Sequence, residues 1–198
     1  MPISLVKGYS LPSVDRREVL RYAGVRSSSG ETEELLCRLD EAISLIETRL
    51  DPRVCYCVLD ISECDFGASL DIRRHLRDSH SVIFFAATLG IELDRLILKH
   101  SVLSPATALL LEALGNERIE ALCDLFCEDM RLQGLEAGDA LRPRFSAGYG
   151  DLPLEYQRDI FALLDPPSRI GVTLNDSYLM SPSKSVTALI GVEKIKES

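Results

Sequence analysis

Two stretches decide how this chain is read. The first is Arg144-Phe145-Ser146-Ala147-Gly148-Tyr149-Gly150-Asp151. The second is Ile170-Gly171-Val172-Thr173-Leu174-Asn175-Asp176-Ser177-Tyr178-Leu179-Met180-Ser181-Pro182-Ser183-Lys184-Ser185-Val186. The first joins a planar cation to small residues, glycines and a phenol. Glycine tolerates φ > 0 and lets a ligand come close to the backbone. A guanidinium can fork onto a carboxylate, and a phenol can stack or donate a hydrogen bond. A loop of this kind suits a zwitterionic or nucleotide-like small molecule. Taken alone, the second stretch reads as strand, turn and strand.

Working outward, Pro153 to Leu164 reads as a helix stopped by Asp165-Pro166-Pro167, and Gly134 to Arg142 as an irregular approach to the first loop. Ahead of that lies a long helix, Ala106 to about Leu132, with Pro105 suited to its first turn. Its apolar stripe runs through Leu110, Leu114, Leu122, Leu125 and Phe126, and Gly115 marks either close packing or a break. Ser81-Val82-Ile83-Phe84-Phe85-Ala86-Ala87 is the strongest buried strand, followed by the turn Thr88-Leu89-Gly90 and a helix over Ile91 to Lys99. Val54 to Leu59 is a second strand, and Leu70 to Arg77 a short amphipathic piece. Glu31 to Leu50 repeats apolar residues at helical spacing. Ser27-Ser28-Ser29-Gly30 is a loop. Asp15 with Glu18 resembles a capping box before a short helix that ends near Gly24. Ile170 to Thr173 and Ser185 to Val192 are β-prone. Strands at both ends of a helical middle point to an α+β fold, one domain over 1–198 with a mixed or antiparallel twisted sheet flanked by helices.

Composition bounds the function. The chain has 198 residues, is 46% hydrophobic and 27% charged, and carries a net charge of −9. The negative charge repels phosphate backbones and anionic membranes, so neither nucleic acid nor a membrane is expected as partner. No apolar run is long enough to span a bilayer, and Met1 to Ser10 lacks the apolar core of a secretory signal, so a cytoplasmic location is expected. Arg73, Arg74 and Arg77 read as a solvated helix face. The six cysteines, Cys37, Cys55, Cys57, Cys64, Cys123 and Cys127, have no C-x-x-C spacing and are read as free buried thiols rather than metal ligands. No metal site and no catalytic residue of the chain's own is assigned.

Taken together, the two stretches resemble the reactivation (S-adenosylmethionine-binding) domain of cobalamin-dependent methionine synthase. That family carries an Arg-x-x-x-Gly-Tyr-Pro loop, a helix, an Ile-Gly-Met segment, a Ser-Phe-x-Met-x-Pro segment and a Ser-Val pair. The counterparts here are Arg144 to Tyr149, Ile170-Gly171, Ser177-Tyr178-Leu179-Met180-Ser181-Pro182 and Ser185-Val186. The match is firm over 142–192, the motif-bearing part runs from about 104 to 192, and the N-terminal third matches only near Arg21-Tyr22.

The resemblance implies a stand-alone, trans-acting reactivation subunit, one component of a methionine synthase (methyltransferase) system. It would serve a methionine synthase or a related corrinoid protein. It would bind S-adenosylmethionine and dock on the cobalamin-binding domain of its partner. Cob(II)alamin there would be reductively methylated with an electron from a flavodoxin-like donor. Arg144 would take the ligand's carboxylate, and the backbone at Ser146 and Gly148 would approach the ligand. Tyr149 would lie beside it, and Glu120 would meet its cationic end. Each residue also has a plainer reading: Arg144 as a surface partner of Asp151 or Glu155, Tyr149 as a core aromatic, Glu120 as part of a solvated face with Glu112, Glu117, Asp124 and Glu128. The chain departs from the pattern at Gly150, where the family has proline, and at Ser181, where it has tryptophan. Leu189-Ile190-Gly191-Val192 stands where aromatics follow the Ser-Val pair, and Arg21-Tyr22-Ala23-Gly24 offers no counterpart of the family's N-terminal aspartate. The alternative is a non-enzymatic module that docks on a corrinoid protein and has lost S-adenosylmethionine binding.

Overall fold

The apolar run around Phe84-Phe85 must bury side chains on both faces of a strand and pair its backbone on both edges. The computed structural model, which describes residues 4–25, 32–133 and 138–195, shows both. Ser79–Thr88 forms β3, the central strand, with β2 (Arg53–Asp60) on one edge and β7 (Ser185–Lys194) on the other. Phe85 stands opposite Tyr56 and Ala188. β1 (Leu5–Gly8) adds to the outside of β2, and β4 (Asp139–Leu141) to the outside of β7. The sheet order is β1-β2-β3-β7-β4 with every pairing antiparallel. The expected α+β fold is therefore borne out, and "mixed or antiparallel" resolves to antiparallel.

Alternation along the strands divides the core in two. Val54, Tyr56, Ile83, Phe85, Ala87, Ala188 and Ile190 face one apolar cluster, where α1 (Arg16–Tyr22), α2 (Glu33–Ile46), α4 (Glu92–Leu103) and α5 (Pro105–Gln133) pack. Phe126 of α5 lies against both Phe85 and Tyr56, with ring centroids 4.9 and 5.2 Å away. Cys55, Cys57, Val82, Phe84, Ala86 and Leu189 face the other cluster, covered by α3 (Leu70–His75), α6 (Gln157–Leu164) and α7 (Pro166–Ile170). Ile170 and Val172, from the second stretch, share that second cluster with Leu152, the residue that follows the first stretch.

Some boundaries differ from the sequence reading. β1 and β4 carry no signal of their own. The Ser27–Gly30 loop lies outside the described residues, as does 134–137 of the segment read as irregular, the rest of which holds β4. α6 ends at Asp165, at φ 51°, but Pro166 then opens α7 at once, since proline suits a first helical turn. That short helix takes up Ile170, so the expected strand shrinks to β5 (Thr173–Leu174), paired with β6 (Met180–Ser181). Asp15 caps α1 by accepting from the Arg17 and Glu18 amides. Glu18 does not return the bond, because it pairs with Arg21, and the Asp15 amide instead donates to Glu117. Glu117 is thus buried, not on a solvated face, and with Arg118 it clamps the backbone at Pro12 and Ser13.

α5 runs unbroken through Gly115. A Cβ there would lie 2.7 Å from Lys184 Cε and 2.9 Å from Leu93 Cδ2. The glycine therefore marks close packing rather than a break. Lys184 crosses it and donates to Glu112 (2.5 Å) and Asn116 (2.9 Å). Gly115→Val is expected to destabilise the protein by about 1–3 kcal/mol through overpacking, read as a lowered denaturant midpoint. An unchanged midpoint would mean that this junction is not close-packed.

Candidate functional site

The Arg144 loop begins as the ragged edge of the sheet. After β4 the chain continues beside β7. The Arg142 amide donates to Gly191, and Phe145 and Leu189 exchange two backbone bonds of 2.9 Å. Phe145 is thereby fixed in the ladder, and Arg144, its neighbour, is fixed with it. The chain then leaves the sheet in a tight loop. The Tyr149 amide donates to the Ser146 carbonyl, and the Gly148 amide to that of Leu152. Gly148 (φ +85°) and Gly150 (φ +57°) supply the left-handed conformations that the loop needs.

A second set of contacts ties the loop to the start of α3. Asp151 accepts from the Ser69 hydroxyl and from the Leu70 and Asp71 amides. These bonds, led by that from Ser69, hold its carboxyl below the usual carboxylate range. His75 of α3 bonds the Pro143 carbonyl and lies 5.2 Å from the Phe145 ring, and Tyr149 stands edge-on to Phe145 at 5.8 Å. Tyr149 itself is 72% exposed, so it is not a core aromatic. Ser146 is half-buried and Gly148 exposed, leaving this backbone open to solvent.

Arg144 meets α5. Its Nη2 donates to Glu120 Oε2 at 2.8 Å and lies 3.1 Å from Asp124 Oδ1. The pairing with Asp151 or Glu155 does not form, because Asp151 is held by α3. Burial works against the Arg144 charge, but Cys123, Glu120, Asp124 and Cys127 outweigh it and raise its pKa. A groove of about 380 Å³ opens beside it, lined also by Asp124, Arg131 and Arg142. Its size lies within the range of small-molecule pockets. Glu120 and Asp124 are half or more exposed, yet both are engaged, and Glu112 and Glu128 likewise pair with Lys184 and Arg131. Of the five expected site residues, the structure brings Arg144 and Glu120 into direct contact. Ser146, Gly148 and Tyr149 follow along the same loop. Asp124 was missed as a member of the site, although its place one turn after Glu120 on a helix puts it on the same face. Asp151 was missed too, and nothing local signals its reach to α3.

Other segments singled out in the sequence are tied down by local contacts. Thr88 is fully buried, its hydroxyl shared between the Gly90 amide and Ser185, so the Thr88-Leu89-Gly90 turn is a packing junction. The second stretch forms the β5–β6 hairpin around Asn175, whose side chain accepts from Ser177 and Leu179. All six cysteines are free. Cys55, Cys57 and Cys123 are buried as expected, but Cys37 is exposed and Cys64 and Cys127 are intermediate. Burial pushes the Cys55 and Cys123 thiols up to about 12. Among the described residues no group of His, Cys, Asp and Glu is placed to hold a metal, and no helix is long and apolar enough to cross a membrane.

No protein-family profile matches the chain, and no curated protein does. Among solved structures, the crystal structure of the MetH reactivation domain bound to AdoHcy matches with a TM-score of 0.68 at 15% identity. The match covers 100% of this chain and 80% of that one. The chain therefore has the fold of the MetH reactivation domain.

Gly150 explains one departure from the family pattern. Proline holds φ near −65°, and at φ +57°, with Asp71 Oδ2 only 2.5 Å from where a Cβ would lie, it cannot be accommodated. Gly150→Pro is expected to lower stability by about 1–3 kcal/mol, seen as a drop in Tm; a rise in Tm would contradict the loop geometry. Asp151 gives a pH dependence. A carboxyl held below its unfolded pKa stabilises the fold above that value and loses the contribution as pH falls through the folded one. Asp151→Asn should therefore lower stability at neutral pH and flatten the loss of stability below about pH 4. Parallel stability curves for the two proteins across that range would count against it.

Proposed function

We propose that this chain is a trans-acting reactivation subunit for cobalamin-dependent methionine synthase or a related corrinoid protein. It acts as one domain that binds S-adenosylmethionine and docks on a cobalamin-bearing partner. The observation that carries this reading is the contact between Arg144 and Glu120, which lie 24 residues apart. A guanidinium beside a carboxylate complements an amino-acid group, since one matches the ligand's carboxylate and the other its cationic end. The pair stands at the mouth of a loop whose small residues leave the backbone accessible, on a fold found in a domain with AdoHcy bound.

The residues fit such a ligand in definite roles. Arg144 binds and orients the carboxylate. Glu120 receives positive charge. The backbone at Ser146 and Gly148 lies open for close approach, and exposed Tyr149 supplies a ring face next to it. When bound, S-adenosylmethionine supplies the methyl group for cob(II)alamin on the partner, and a flavodoxin-like donor supplies the electron. The chain's own part is to position and to dock, so no side chain is assigned an acid, base or nucleophilic role.

A second reading has its own support. Arg144 is already matched by two carboxylates, and Arg21-Tyr22 offers no aspartate to the site. On that reading the chain docks on a corrinoid protein without any nucleotide. Calorimetric titration separates the two. Wild-type protein is expected to bind S-adenosylmethionine, and Arg144→Ala to weaken binding roughly ten- to a hundredfold, as fits the loss of a charged hydrogen bond. No heat with wild type, alone or with its corrinoid partner, overturns the ligand-binding reading and leaves docking alone.

A further inference from the structure

We infer that Asp124 sets the site's selectivity by charge, so that the cationic sulfonium form of the ligand is held more tightly than its demethylated, neutral thioether. The inference rests on the reading that Arg144 and Glu120 bind S-adenosylmethionine. It adds a residue and a discrimination which that reading does not contain.

Arg144 is flanked by two acids. Glu120 and Asp124 both lie on the guanidinium through the same nitrogen, Nη2, at 2.8 and 3.1 Å. One carboxylate suffices to match the arginine, and the second leaves the trio with one net negative charge. The other arginines lining the groove do not supply the balance. Arg131 pairs with Glu128 at 3.0 Å, and Arg142 with Glu193 at 3.3 Å. A ligand carboxylate that takes Arg144 therefore arrives next to an acid that stays behind.

An amino-acid group brings one positive and one negative charge and leaves the excess negative charge in place. A sulfonium adds a positive charge a few bonds away and offsets it. Donating the methyl group turns the sulfonium into a thioether, and the offset disappears. The surplus acid thus favours the form that can give a methyl group and weakens the hold on the form left afterwards. Asp124 is 75% exposed, so water and salt screen the effect and its size is modest. At that exposure the removal of one charge shifts a binding ratio by about two- to fivefold.

The test is calorimetric titration of the whole chain with S-adenosylmethionine and with S-adenosylhomocysteine, for wild type and Asp124→Asn, at low and at high salt. Wild type is expected to prefer S-adenosylmethionine. Asp124→Asn should shrink that preference by about two- to fivefold, mainly by tightening S-adenosylhomocysteine. High salt should shrink the wild-type preference and leave that of the variant nearly unchanged, which a purely structural role would not produce. An equal preference in wild type and variant, with both ligands bound, overturns the role of Asp124 and leaves the binding site standing. Failure of wild type to bind either ligand overturns the site itself and this inference with it.

Discussion

The structure depends on one long-range pairing, the antiparallel ladder between β3 and β7. Its two strands lie about a hundred residues apart in the chain, so the cost of closing that loop must be met by what the ladder brings together. It brings a great deal. Ile83 and Phe85 join Ala188 and Ile190 over α5, while Val82 and Phe84 join Leu189 over α6 and α7. Both apolar clusters are thus completed by one pairing. The turn before β7 adds a polar lock, where Lys184 crosses Gly115 and the Ser183 amide donates to Asp94 of α4.

The candidate site follows from the same ladder. β7 has a free outer edge beyond Leu189, and Phe145 closes it with two backbone bonds. That contact fixes the backbone beside Arg144 against a strand buried on both faces. On the other side, α5 is held by Phe126 in the core, so Glu120 and Asp124 are presented from a rigid helix. Both partners of the ion pair are therefore placed by burial elsewhere, and the pair itself need contribute little to stability.

Much of this was legible in the sequence because it rests on strong local patterns. β2, β3 and β7 are apolar runs with β-branched and aromatic residues, and α2 and α5 repeat at helical spacing. β1 and β4 are short edge strands, and β1 leaves Leu5 and Val6 half-exposed. Such strands take their form from a partner's unpaired edge, which no local pattern records. The burial of Glu117 was hidden for a similar reason: the acids that follow it on α5, Glu120, Asp124 and Glu128, are exposed, and only the N-terminal segment packed over it shows that it is a clamp. For the site, residue types and order pointed to Arg144 and Glu120 through a family pattern, but their contact could not be read from flanks such as Ile119 and Ala121. It required the ladder that lays residue 145 beside residue 189. Gly150 was legible only as a departure, and its positive φ gives the physical reason.

The ion pairs at Arg144 bear on how a ligand would enter. Exposed pairs of this kind are worth about 0–1 kcal/mol each. Arg144 gains little net free energy from Glu120 and Asp124, and exchanging one of them for a ligand carboxylate costs correspondingly little. A forked, two-bond contact is stronger than the present pair, which meets both acids through one nitrogen. Meanwhile the acids hold the side chain beside the groove, so part of its conformational entropy is lost before any ligand arrives. On the proposed reading the carboxylates of α5 would act as placeholders: they would hold the guanidinium ready, and their own exposure keeps that hold weak.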